Sequence, residues 1–156
     1  MDAKSLIEIL EFERTKLNEC ITKIYEKNPN AQITSGMTVK ELLGHIAWYE
    51  NRIVQVLKNN KANPIEYDIL SIDDKNKQIS VSLRNIQFVE VKKSADTTFH
   101  DLVTLLGNVS QQQLDDISIL KNTLDERLPW QALIENSFIH YEEHMGSMRK
   151  WLKNNQ

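Results

Sequence analysis

The sequence is poor in the residues that punctuate a chain. Its 156 residues include only four glycines and three prolines, whereas a sandwich or barrel of this length needs a turn roughly every 8 to 12 residues. Few, long elements are predicted. Cysteine is almost absent: Cys20 stands alone, which excludes an intramolecular disulfide, a CxxC redox pair and a thiolate metal site. Long apolar runs are missing too. The amphipathic N-terminal stretch is interrupted by Glu8, Glu11 and Glu13, so it contains neither a signal-peptide core nor a membrane span. Nor does one sign of charge dominate, with 19 Lys and Arg against 22 Asp and Glu for a formal charge of −3. That leaves no electrostatic footprint for a phosphate backbone. Gly-rich phosphate loops and G-x-S-x-G elbows do not occur, which argues against nucleotide and serine-hydrolase chemistry. These absences lead to the expectation of a cytoplasmic chain with no nucleic-acid or membrane partner. Asn108-Val109-Ser110 matches the glycosylation pattern, but that pattern matters only in a secreted protein.

What is present suits a soluble globule: 40% of residues are apolar and 26% charged, and the length has room for one domain over residues 1–156. Leu6, Ile9, Leu10, Leu17, Cys20, Ile21 and Ile24 recur at three-and-four spacing and predict a first helix, ended by Asn28-Pro29-Asn30. A loop is expected up to Met37. Thr38 and Glu41 have the spacing of a capping box, so a second helix should start there and run through Leu42, Ile46, Tyr49, Ile53, Val56 and Leu57 to Asn59-Asn60. Residues 62–87 fit neither period well. A short helix over Ile69 to Leu83 is preferred to a hairpin, because Asn-Gly and Asp-Gly turns are lacking. After a break near Asn85 to Gln87, the helical row returns as Val91, Ala95, Phe99, Leu102 and Leu106, closed by Gly107. Ser110 and Gln113 predict one or two capped turns, followed by a loop to Leu128. Pro129 then opens a fourth long helix, its start braced by Trp130, with Leu133, Ser137, His140, His144, Met148 and Trp151 in one row. The fold class expected is all-α: a four-helix bundle with a long crossover from the second to the third helix and a short extra helix.

The chemistry in this pattern is imidazole. His140 and His144 stand one helical turn apart on one face, a spacing that allows chelation. Their register with Leu133, Met148 and Trp151 aims them inward, where an unpartnered imidazole costs roughly 1 to 3 kcal/mol. His45, one turn after Glu41 on the second helix, could supply a third nitrogen if the second and fourth helices are neighbours. Three histidines without a fourth protein ligand describe an open site for a divalent ion, and imidazole suits zinc, nickel, copper or iron without choosing among them; zinc or nickel is the first expectation. Hydrogen-bonded, metal-free histidines at a core edge are the alternative. His100 lies off the inward positions and should face solvent. Tyr141 occupies the position after His140 where a metalloprotease helix requires glutamate, so a protease is excluded. Glu142 and Glu143 should be solvated, unless one of them supports a histidine from behind. Trp48, Tyr49 and Tyr141 are candidates to line a pocket beside the histidines, although core packing also suits Tyr49. Cys20 falls in the first helical row and is expected to fill core as an inert thiol, distant from any cation.

The segment Met37-Thr38-Val39-Lys40-Glu41-Leu42-Leu43-Gly44-His45-Ile46-Ala47-Trp48-Tyr49-Glu50 resembles the second helix of DinB-like bundles, and His140-Tyr141-Glu142-Glu143-His144 with Trp151-Leu152 resembles their last. The likeness covers nearly the whole chain, the middle being similar to the ClbS/DfsB group in order and spacing. It implies the same bundle, a divalent metal held by His45, His140 and His144, and a homodimer. It also implies a small-molecule substrate in detoxification or stress response. DinB-like relatives include metal-dependent thiol transferases, a thiol-dependent isomerase and small-molecule resistance proteins, some without metal. The activity expected is a metal-dependent transferase or hydrolase on a small electrophile, its attacking group a metal-bound water or the thiol of a low-molecular-weight cofactor. The alternative is a non-catalytic bundle that binds or sequesters a small molecule with no metal.

Overall fold

The computed structural model describes residues 1–121 and 127–156. Helix α1 (Ala3–Lys27) starts where Asp2 accepts the amide of Ser5 at 3.0 Å, and it stops at Asn28, extended ahead of Pro29. Its inward row is Leu6, Leu10, Arg14, Leu17, Ile21 and Ile24. The stretch before Met37, expected to be loop, instead holds a small antiparallel hairpin of β1 (Gln32–Thr34) and β2 (Met37–Thr38). Its turn places Ser35 at φ 48° and Gly36 at φ 73°, left-handed conformations that a two-residue hairpin turn requires. Strands of two and three residues are too short to show alternation, so periodicity could not reveal them.

Helix α2 (Val39–Asn59) opens on the expected capping box. The Thr38 amide donates to Glu41 Oε2 at 2.8 Å, and the Glu41 amide donates to Thr38 Oγ1 at 3.3 Å. It ends at Asn60, left-handed at φ 50°. The connection that follows holds a 3-10 turn at Glu66–Ile69 and helix α3 (Ile72–Leu83), close to the short helix expected there, before α4 (Phe88–Leu106). Helix α3 lies against α2, and Gly44 lets it come near. A Cβ at Gly44 would stand 2.5 Å from Leu83 Cδ1. Ser110 caps the single turn α5 (Gln111–Leu114), and a 3-10 turn follows at Ile117–Ile119.

The fourth long helix is not continuous, contrary to the sequence expectation. It divides into α6 (Pro129–Glu135) and α7 (Phe138–Asn154), with Ser137 at φ −128° and ψ −105° between them. At the break Asn136 Nδ2 donates to the Ala132 carbonyl at 2.7 Å, and Ser137 Oγ donates to the Leu133 carbonyl at 2.5 Å. Two side chains thus satisfy carbonyls at the end of α6. The buried row runs Leu133, Ser137, Tyr141, Met145 and Met148, so Leu133, Ser137 and Met148 lie inward as expected, while Tyr141 and Met145 take the inward positions that periodicity assigns to His140 and His144.

Helices α1, α2, α4 and α7 enclose one apolar cluster, with α2 packed along α4 and α1 along α7. Between α2 and α7 the backbones approach at fewer places, and imidazole rings bridge the space. Apart from the hairpin and the short turns, the architecture of the described residues is all-α. None of their helices is long and apolar enough to cross a membrane.

Candidate metal centre

The three histidines expected to share a centre come together. His45, on the second turn of α2, is 3% exposed, while His140 and His144 lie partly buried at the edge of α7. His140 is the hub: its Nε2 lies 2.9 Å from Nε2 of His45 and 2.8 Å from Nε2 of His144. All three ligand atoms lie within 4.8 Å of one another. His100, in contrast, is exposed on α4, as its register suggests.

Burial pushes the pKa of His45 down to about 4 and that of His140 to about 3, each lowered further by neighbouring imidazoles, and burial also lowers His144. All three are therefore neutral at pH 7, each with one N–H and one lone pair. Mutual hydrogen bonds cannot satisfy them. If His45 and His144 both donate to His140 Nε2, then His45 Nδ1 becomes an unmet acceptor and the His140 Nδ1–H an unmet donor. Both Nδ1 atoms are indeed buried without a partner. A divalent cation would take all three Nε2 lone pairs at once, which the convergence of these atoms suits, while the Nδ1–H of His45 and of His140 would stay without an acceptor.

These shifts give a pH signature for the metal-free protein. Unfolded histidines titrate near 6.5 and the folded ones lower, so between those values the unfolded chain binds more protons and stability rises with pH. The stability is fully present above pH 6.5 and is lost as pH falls toward about 4 and 3, the folded values of His45 and His140. Each histidine contributes a slope of up to about 1.4 kcal/mol per pH unit. Urea unfolding of metal-free protein between pH 7 and 5 should therefore steepen on acidification, and His140→Gln should flatten the profile. An identical slope in the variant would contradict buried neutral imidazoles.

Tyr49 stands edge-on to His45 and His140, with ring centroids 5.0 and 5.2 Å away, and its hydroxyl donates to Asn76 Oδ1 at 2.9 Å. With Trp48 it lines a cavity of about 320 Å³. Tyr141, also expected to line a pocket, lies four residues after the buried Ser137 and is fully buried in the core, where its hydroxyl donates to Glu50. Glu142 and Glu143 are exposed, Glu142 pairing with Lys16 at 3.1 Å and Arg149 at 3.3 Å. Neither carboxylate bonds an imidazole among the described residues. Cys20 is half-buried rather than core, and the charges of Arg149 and Lys23 act on it. Burial nevertheless raises its thiol above the usual value, against those cations, so it stays an unreactive thiol. Trp130 packs on the core cluster from the start of α6.

A buried polar network escaped the sequence. Arg14 Nη1 donates to Glu50 Oε1 at 2.7 Å and Nη2 to the Ala95 carbonyl at 3.2 Å, while the Tyr141 hydroxyl donates to the same Glu50 oxygen. The guanidinium also lies 4.8 Å from the Phe99 ring centroid. Burial raises the Glu50 carboxyl, and Arg14 and Tyr141 oppose that rise. Both donors meet Oε1, and Oε2 of Glu50 and Nε of Arg14 are buried without a partner. A signal existed: Arg14 fills the vacant place between Leu10 and Leu17, and Glu50 the one between Ile46 and Ile53. Gathering only apolar residues skips both.

No family model, curated protein or solved structure matches the chain.

Proposed function

We propose that the chain is a DinB-like four-helix-bundle protein whose His45, His140 and His144 hold a divalent ion, zinc or nickel, for transferase or hydrolase chemistry on a small electrophile. The observation that supports this is three imidazoles, neutral at pH 7, with their Nε2 atoms turned toward one another. A bound ion supplies Lewis acidity, drawing the pKa of a coordinated water or cofactor thiol toward about 7. The protein's part is to present three lone pairs without first shedding protons, since His45 and His140 are already neutral well below pH 7. Tyr49 covers one flank of the imidazoles. The reading needs no protein nucleophile, and Cys20, its thiol raised by burial, offers none. A low-molecular-weight thiol or water would attack, in a role of detoxification or stress resistance.

One observation favours a second reading. Metal-bound histidines usually donate their other nitrogen to a carboxylate or carbonyl, and Nδ1 of His45 and of His140 has no such partner. A non-catalytic bundle that sequesters a small molecule is consistent with that. Metal analysis of protein purified without a histidine tag separates the two. One zinc or nickel per chain is expected, and an empty protein after incubation with either ion would leave only the binder. Turnover of 1-chloro-2,4-dinitrobenzene with and without added glutathione then distinguishes thiol transfer from hydrolysis.

A further inference from the structure

The cavity beside Tyr49 carries a charge imbalance opposite to that of the chain. It lies between α2, α3 and α6, and among the described residues Arg52, Lys75 and Arg127 line it against one acid, Asp68, in a protein of formal charge −3. Asp68 is already engaged, because Arg52 Nη2 donates to its Oδ2 at 2.8 Å and to the Asn63 carbonyl at 2.7 Å. Arg127 pairs with Glu135. Lys75 is left over: it is half-buried and has no ion pair among the described residues. Partial burial of an ammonium without a counter-charge costs desolvation energy that an anion would offset. The remaining wall is aromatic and aliphatic, formed by Trp48, Tyr49, Ile53 and Val56.

We infer that this cavity binds an organic anion, its flat apolar body against Trp48 and Tyr49 and its carboxylate or sulfonate on Lys75. The volume of about 320 Å³ lies in the range of small-molecule sites. Tyr49 is the wall between this cavity and the histidines, with its ring 5.0 and 5.2 Å from those of His45 and His140. An occupant against Tyr49 would therefore share that ring with the imidazoles of His45 and His140. As a statement of substrate class, the inference rests on the metal-centred reading above; as a binding site, it does not.

Two fluorescent probes of like shape provide the test: 8-anilinonaphthalene-1-sulfonate, an anion, and the neutral N-phenyl-1-naphthylamine. The anion should bind one per chain and about tenfold more tightly than the neutral probe, a difference that one charge-assisted contact accounts for. Lys75→Gln should weaken the anion about fivefold and leave the neutral probe unchanged. Trp48→Phe should reduce energy transfer from protein to bound dye. A cooperative urea transition at the same midpoint in all variants shows that partly unfolded protein is not the binder. Equal affinities for the two probes, or indifference of the anion to Lys75→Gln, would overturn the inference even where the ion still binds the histidines. Anion binding that persists in His140→Ala, in a protein that never takes up zinc or nickel, would support the cavity and remove only the metal-centred reading.

Discussion

His140→Ala is expected to lower zinc or nickel affinity by at least ~100-fold, beyond the 10- to 100-fold typical when an outer partner of a ligand is lost. The reason lies in the geometry of the hub. His140 Nε2 lies within 2.9 Å of both other ligand atoms, so its removal leaves His45 and His144 as a separated pair rather than a chelate. Thermal unfolding gives a second readout. An ion present at 100 times its dissociation constant stabilises the folded state by about 2.7 kcal/mol, and this metal-dependent rise in Tm should vanish in the variant. His100→Ala is the control, because that side chain is exposed on α4 and distant from the cluster. Competition against a chromophoric chelator measures the affinities. If His140→Ala binds zinc like the parent protein, or if His100→Ala loses the ion equally, the three-histidine centre is wrong.

The parts legible in the sequence were those carried by local rules. Asp2, Thr38 and Ser110 begin helices where their side chains accept backbone amides, and such caps act over three residues. The long helical rows are equally local. The meeting of His45 with His140 was readable only through register on two helices, together with the assumption that these helices are neighbours. The inward face of α7 was misread because steps of three and of four are equally helical: from Ser137 the expected row steps to His140, whereas the buried one steps to Tyr141. A rotation by one residue placed Tyr141 in the core and left the histidines at its edge, where they reach α2. The Arg14, Glu50 and Tyr141 network was illegible for a different reason. Each member is paired by a residue at least 36 positions away, and no local propensity announces a partner at that separation.

That network carries the second large effect. Arg14 and Glu50 are 3% and 0% exposed, so Glu50→Ala strands a guanidinium among apolar side chains and removes the acceptor of the Tyr141 hydroxyl. Breaking one partner of a buried pair costs about 3 to 5 kcal/mol, which threatens folding in a domain whose whole stability is about 5 to 15 kcal/mol. Removing every member together should behave differently. The triple variant Arg14→Met, Glu50→Leu, Tyr141→Phe leaves no stranded charge or hydroxyl, and buried ion pairs replaced by apolar groups of similar volume are often neutral or stabilising. Urea unfolding should therefore place the triple variant within about 1 kcal/mol of the parent protein and well above Glu50→Ala. Restored stability need not restore the centre. Glu50 lies five residues after His45 on α2, Tyr141 directly follows His140 on α7, and their hydrogen bond ties the two helices beside the imidazoles. Without that tie the rings lose a fixed spacing, and zinc affinity in the stable triple variant should fall about tenfold, the scale of losing an outer partner. Unchanged affinity in a stable triple variant would mean that apolar packing alone sets the distance between the histidines. A triple variant as unstable as Glu50→Ala would mean that the ion pair itself, rather than the stranded charge, governs the energetics of this core.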